Sequence, residues 1–125
     1  MFTQKLGGIN MIVRDIIPIL EAEVVTAADL EAEIHSACGS DMMSDVLAYV
    51  KDQSVLITGL VNPQVVRTAD MMDMVCIVFI RGKEPDEQVI NLAKERGITL
   101  LKTKCRMFTA CGLLYTNGLR GECRF

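Results

Sequence analysis

The sequence predicts an α/β domain built on a largely parallel sheet, and three observations carry that prediction. Apolar runs with little alternation, at residues 55–58 and 74–80, have the character of strands covered on both faces. Between and after them lie stretches whose apolar residues recur at helical spacing. Punctuation marks the helix limits: Asn62-Pro63 reads as a cap followed by a first-turn proline, and Gly97 reads as a C-terminal cap. Strand, helix and strand at short loop lengths favour parallel pairing through right-handed crossovers. The chain has 125 residues, 50% of them hydrophobic, so one domain can bury a real core without metals or disulfides.

Taken in order, residues 1–10 show no periodicity and read as an appendage. Gly7-Gly8 can be encoded by a ribosome-binding sequence at a sensible distance before Met11, so Met11 is the expected native start. The domain itself is expected over residues 11–118, with a loose tail at 119–125. Val13, Ile16, Ile17 and Leu20 form a helical stripe, and Pro18 fits it best if the helix begins near Arg14. Val24-Val25 is a short strand and residues 33–38 a second one. Gly39 allows a tight turn and Ser40 caps the next helix, which should end near Asp52. Met42, Met43, Val46, Leu47 and Val50 share one face of it, with Asp41 and Asp45 on the other side.

After strand 55–58, the helix opened by Pro63 turns Val65, Val66, Ala69 and Met72 inward. Residues 74–80 make the central strand, Arg81-Gly82-Lys83 a turn, and Pro85 starts a helix facing Val89, Ile90 and Ala93 inward. Residues 98–101 are the last strand. Thr103 or Lys104 opens a final helix with Met107, Phe108, Cys111, Leu114 and Tyr115 in one stripe, closed by Gly118.

Composition excludes several classes of function. The net charge is −3 and the charges are mixed along the chain, which argues against a nucleic-acid binder with a basic stripe. No apolar run approaches the roughly 20 residues of a membrane span. Cys38, Cys76, Cys105, Cys111 and Cys123 are odd in number, lack C-x-x-C spacing and follow no secretory signal, so reduced thiols in the cytoplasm are expected. The single histidine, His35, has no neighbours suited to zinc, and no cofactor or metal is expected.

Parallel strands gather the loops that follow them along one edge, where open α/β sheets bind ligands. The candidate site there comprises Ser40, Asp41, Ser44, Asp45, Thr58, Asn62, Arg81, Gly82 and Thr103. Two readings stand side by side. In one, Ser40, Asp41, Ser44 and Asp45 cap and complement a helix. In the other they belong to a ligand or phosphate site, which would need magnesium or the cations Arg81, Lys83, Lys102 and Lys104 to offset two carboxylates. Cys38 and Cys105 flank the same cleft near helix starts, where a thiol's pKa can fall.

Ser40-Asp41-Met42-Met43-Ser44-Asp45-Val46 resembles the S-D-x-x-S-D-V segment of the DRTGG domain family. Leu56-Ile57-Thr58 with Asn62, the stretch at 82–87 and the stretch at 97–103 resemble further segments of that family in the same order. The resemblance spans about residues 11–118, although the pentapeptide that names the family is absent. It implies a three-layer α/β/α domain with a mostly parallel sheet of about four to five short strands. The N-terminal domain of HPr kinase/phosphorylase and, more distantly, those of Mur ligases are similar. It also implies a domain found alone or beside CBS domains, often encoded near iron-only hydrogenase components in anaerobes, with no general enzymatic activity. No G-x-x-x-x-G-K-[ST] phosphate loop occurs in this sequence, and a kinase label would be inherited by name only.

The function expected is therefore a non-enzymatic regulatory or adaptor domain that senses a small, phosphate-containing ligand. Its expected partners are a small molecule or nucleotide, a protein partner, and a second copy of itself in a homodimer, without nucleic acid or membrane. The alternatives are a thiol-based redox module using Cys38 or Cys105, and last an enzyme acting on a phosphorylated metabolite.

Overall fold

The computed structural model describes residues 11–49 and 53–121. The appendage expected at 1–10, the helix end expected near Asp52 and the tail beyond Gly121 lie outside the described residues. The elements in chain order are β1 (Met11–Ile12), α1 (Val13–Leu20), β2 (Glu23–Thr26), β3 (Glu33–Ile34), β4 (Ser36–Gly39), α2 (Met43–Tyr49) and β5 (Ser54–Thr58). They continue with α3 (Pro63–Met71), β6 (Cys76–Phe79), α4 (Glu87–Arg96), β7 (Thr99–Lys102) and α5 (Met107–Thr116).

Five strands form one sheet in the order β2-β7-β6-β5-β4. β4, β5, β6 and β7 are parallel, and β2 closes one edge antiparallel to β7 with a bulge between Val24 and Thr26. β1 and β3 make a separate two-residue antiparallel pair. The predicted strand at 33–38 is thus two strands in two sheets.

Side chains that alternate along each strand divide between two cores. Val55, Ile57, Cys76, Val78 and Leu101 face α1 and α5, whereas Leu56, Ile77, Phe79 and Leu100 face α2, α3 and α4. A sheet covered on both faces has no polar side to present, which is why β5 and β6 read as continuous apolar runs. The three-layer α/β/α architecture of the prediction is the architecture observed.

Several boundaries differ from the sequence reading for local reasons. α1 starts at Val13, so Pro18 sits inside the helix rather than in its first turn. Only one amide is missing there, and the orphan amides of Val13 and Arg14 are taken by the Ala32 and Leu30 carbonyls at 3.0 and 2.9 Å. Pro85 is buried just before α4, whose cap is Asp86 with its carboxylate accepting from Val89 N at 3.0 Å. Asn62 caps α3 as predicted, accepting from Val65 N at 3.2 Å, and Gly97 ends α4 at φ 69°, where glycine alone is unstrained. Arg120, assigned to a loose tail, is tied to the sheet's edge by one bond: its carbonyl accepts from Ala37 N of β4 at 3.0 Å, beside buried Leu119. Phe108, assigned to the buried stripe of the last helix, faces solvent.

Candidate functional site

The parallel strands bring the loops after β4, β5, β6 and β7 to one edge, and the candidate residues separate there into a tied cluster, a neighbouring cleft and a few that stand apart. The cluster is built on Asp41. Its Oδ1 accepts from the Gly59 amide at 2.7 Å and from the Thr58 hydroxyl at 3.1 Å. Thr58 Oγ1 in turn accepts from the Leu60 amide at 3.1 Å, so the loop after β5 is wired through two side chains. A carboxylate accepting a backbone amide makes one of the stronger hydrogen bonds available, and this one fixes the loop after β4 to the loop after β5.

Arg81 completes the cluster from β6. A Cβ placed on Gly59 would stand 2.8 Å from Arg81 Nη2, so the guanidinium lies where any other residue's side chain would begin. The backbone of Arg81 is left-handed at φ 57°, an uncommon conformation for a non-glycine residue, and Gly82 follows at φ 66°. The strain is held by two ladder-like bonds of 2.8 Å, from Arg81 N to the Cys105 carbonyl and from Gly82 N to the Thr103 carbonyl. Arg81 is exposed, and among the described residues it makes no ion pair.

Ser40 does not cap α2. The helix starts at Met43, and the Ser40 hydroxyl accepts from Met42 N at 2.9 Å within the preceding turn. Ser44 and Asp45 lie on the exposed side of α2, away from the Asp41 bonds. The Asn62 side chain is taken up by the α3 cap. Thr103 is buried, donating its hydroxyl to the Leu20 carbonyl at 2.7 Å and accepting from Cys105 N at 3.2 Å, so it ties β7 to the end of α1.

Beside the cluster, Gly82 and Thr103 line a cleft of about 460 Å³ together with Leu20, Glu21, Lys102 and Lys104. Lys102 spans it, bonded to Glu84 and, at 3.4 Å, to Glu23. The Glu84 carboxylate first, and Glu23 after it, hold the Lys102 ammonium above its usual value despite partial burial. Glu21, Glu23 and Glu84 against Lys102 and Lys104 leave this cleft with no excess of positive charge. The sequence reading missed the Gly59 contact and the Lys102 pairing. A glycine three residues before a cap signalled the first, and nothing local signalled the second, since Glu23 and Glu84 lie far from Lys102 in sequence.

Cys105 lines the cleft with its Sγ 3.9 Å from the Leu20 carbonyl, while Cys38 is half-buried on β4. Burial pushes the Cys76 thiol far up and the Cys111 thiol up as well, which disfavours the reactive thiolate at both. Among the described residues no group of three or more His, Cys, Asp or Glu side chains could hold a metal ion. No helix among them is long and apolar enough to cross a membrane.

A model of the DRTGG domain matches residues 15–116 of the chain. Among solved structures, the CBS and DRTGG domains of the regulatory region of a pyrophosphatase from Clostridium perfringens, complexed with the activator diadenosine tetraphosphate, superpose with a TM-score of 0.71 at 19% identity. The match covers 84% of this chain and 46% of that one, so this chain spans less than half of its neighbour's length. A likeness at that identity shows the fold. No curated protein matches the sequence.

Proposed function

The chain belongs to the DRTGG domain family, and from that premise we propose that it is a regulatory module responding to a small phosphate-bearing ligand at the C-terminal edge of its sheet. The observation that carries the proposal is the Asp41–Thr58–Gly59–Arg81 cluster: a positioned loop with a cation pressed against its glycine and, among the described residues, no ion-pair partner for that cation. Asp41 holds the loop, and Arg81 is the group that meets the anion, by the bidentate geometry for which arginine is suited. This division of labour answers the objection that two carboxylates would repel a phosphate, since Asp41 faces Gly59 N and Thr58 Oγ1, and Asp45 lies outside the cluster. The activator of the pyrophosphatase region is a nucleotide polyphosphate, which makes adenine nucleotides the first ligands to try.

The module is read as non-enzymatic, because the cluster's one carboxylate and one hydroxyl, Asp41 and Thr58, are engaged in holding the loop. A second copy of the chain is its expected partner. The link to hydrogenase or anaerobic metabolism implied by the resemblance is the finest part of this proposal, and affinity capture from the native cell tests it separately.

Thermal unfolding with a panel of adenine nucleotides, diadenosine tetraphosphate and phosphorylated metabolites, with and without magnesium, tests the ligand. A binder at a hundredfold excess over its dissociation constant stabilises the fold by about 2.7 kcal/mol, a shift of several degrees. Arg81→Ala should abolish the shift and leave the unliganded melting temperature nearly unchanged, since alanine meets the same left-handed backbone. A shift that survives Arg81→Ala moves the site elsewhere.

A further inference from the structure

Arg81 and Gly82 are consecutive, yet they serve two places at the edge of the sheet. The Arg81 guanidinium lies against Gly59 after β5, while Gly82 lines the cleft that opens beside Lys102 of β7. A Cβ added at Gly82 would meet nothing within 4 Å, so bare backbone under open space joins the two. Thr58, Phe79 and Lys102 lie in one register row across β5, β6 and β7, which sets guanidinium and cleft two strand spacings, about 10 Å, apart. At about 460 Å³ the cleft falls in the size range of small-molecule sites, roughly 300–1,000 Å³. Its Lys102 is already shared between Glu84 and Glu23. Glu21 also lines it and, among the described residues, makes no ion pair. Glu21 ends α1 in the left-handed region, at φ 48° and ψ 48°, where glycine is the usual residue. Non-glycine residues held there concentrate at binding sites, and two of the four among the described residues, Glu21 and Arg81, border this edge.

We propose that cluster and cleft form one site for a phosphate monoester with a hydroxylated body, a sugar phosphate or a nucleoside monophosphate. The proposal rests on the reading of Arg81 given above and names the class of ligand that this site takes. Arg81 holds the phosphate in its fork of donors. The body crosses Gly82 and sets neighbouring hydroxyls on the Glu21 carboxylate, which has two accepting oxygens and no donor. Acidic side chains hold ribose hydroxyls in this way at the edge of other parallel sheets. The same carboxylates exclude a second phosphate. Glu21, Glu23 and Glu84 against Lys102 and Lys104 leave the cleft with one negative charge in excess. A polyphosphate reaching into it would bring further negative charge against that excess.

Isothermal titration calorimetry on the whole chain, with EDTA present so that no metal bridges the charges, tests the site. The probes are inorganic phosphate, ribose 5-phosphate, adenosine monophosphate and adenosine triphosphate. At least one of the two monoesters should bind roughly tenfold or more tightly than both inorganic phosphate and the triphosphate. Equal affinity for the two monoesters identifies a sugar phosphate, and a preference for the nucleotide identifies a nucleoside monophosphate. Glu21→Gln, of the same shape without the charge, should shrink the preference over the triphosphate severalfold. Gly82→Asn, which tolerates a left-handed backbone and puts a side chain in the passage, should bring the monoesters down to the affinity of inorganic phosphate. Far-UV circular dichroism should be unchanged in both variants. A triphosphate bound as tightly as the monophosphate, or a preference unmoved by Glu21→Gln, overturns this inference; the phosphate reading stands if Arg81→Ala still abolishes binding. If neither monoester binds while another phosphate compound is held through Arg81, this inference fails alone. If nothing is held through Arg81, both fail.

Discussion

The two helical layers cover the same sheet and are finished differently. On one side, α3 and α4 are capped by the side chains of Asn62 and Asp86, and α4 is closed by left-handed Gly97. Their outer surfaces carry charge, and Arg96 of α4 bridges to Asp70 of α3 at 2.5 Å. On the other side, α5 begins at Arg106 with no side-chain cap and exposes a phenylalanine. The sheet residues beneath are buried equally: Phe79 and Ile77 on one face, Val78 and Ile57 on the other, are all 0% exposed. The difference therefore lies outside the core. α3 and α4 are completed by water and by their own caps, whereas α5 leaves Phe108 in water and has the Arg120 guanidinium over its Tyr115 ring at 4.2 Å.

The largest effect should come from the self-sufficient side. Phe79 is fully buried at the C-terminal end of β6, in one core cluster with Leu56, Ile77 and Leu100. Phe79→Ala should cost about 3–5 kcal/mol, and the melting temperature should fall by about 10 °C or more. Urea unfolding and calorimetry measure both. A loss under about 1 kcal/mol would mean that α2, α3 and α4 close over the gap, and that this layer is the softer of the two.

The α1–α5 side can be probed from beneath through Cys76, which faces it from β6. Burial raises the thiol's pKa in the folded chain. The unfolded chain therefore releases this proton first, at about pH 8.5 to 9. Stability contributed by the neutral buried thiol is fully present below that pH and falls as pH rises above it. The slope should reach about 1.4 kcal/mol per pH unit for one fully protected thiol. Urea unfolding from about pH 7 to about pH 10 should show the decline, and Cys76→Ala should flatten its share of it. A slope unchanged by that substitution would mean that water reaches Cys76 beneath α5.

What the sequence made legible follows the range of the interactions concerned. Asn62-Pro63, Gly97 and the apolar runs of β5 and β6 act within a few residues, and each was readable as a string. The tied cluster was half legible. Topology placed Asp41, Thr58 and Arg81 at one edge, but Asp41 bonds an amide 18 residues away, and no local pattern announces that. Ser40, with serine's strong capping preference, was drawn into a turn two residues too early to cap. Thr103 looked like a loop residue because its partner, the Leu20 carbonyl, is 83 positions distant. Phe108 was misplaced for a different reason. In a helix without charged residues, periodicity cannot tell the buried stripe from the exposed one, since both are apolar.

The smallest prediction tests whether α5 is under-finished at its N-terminus. Arg106 occupies the cap position with φ −84° and ψ 169°, an extended backbone suited to a capping residue, yet its side chain accepts nothing. Arginine has no acceptor to offer the orphan amides there, and its charge has the wrong sign for the positive end of the macrodipole. Arg106→Asp should supply both an acceptor and a favourable charge without altering the backbone. The expected gain is about 1 kcal/mol, read as a melting temperature a few degrees higher. Asp86→Ala on α4 is the matched control, because it removes the corresponding cap and should lose about the same amount. If Arg106→Asp stabilises while Asp86→Ala destabilises, the two helices differ as described, α4 capped and α5 not. If Arg106→Asp instead lowers the melting temperature, Arg106 contributes to stability through contacts of its own, and the N-terminus of α5 is already complete.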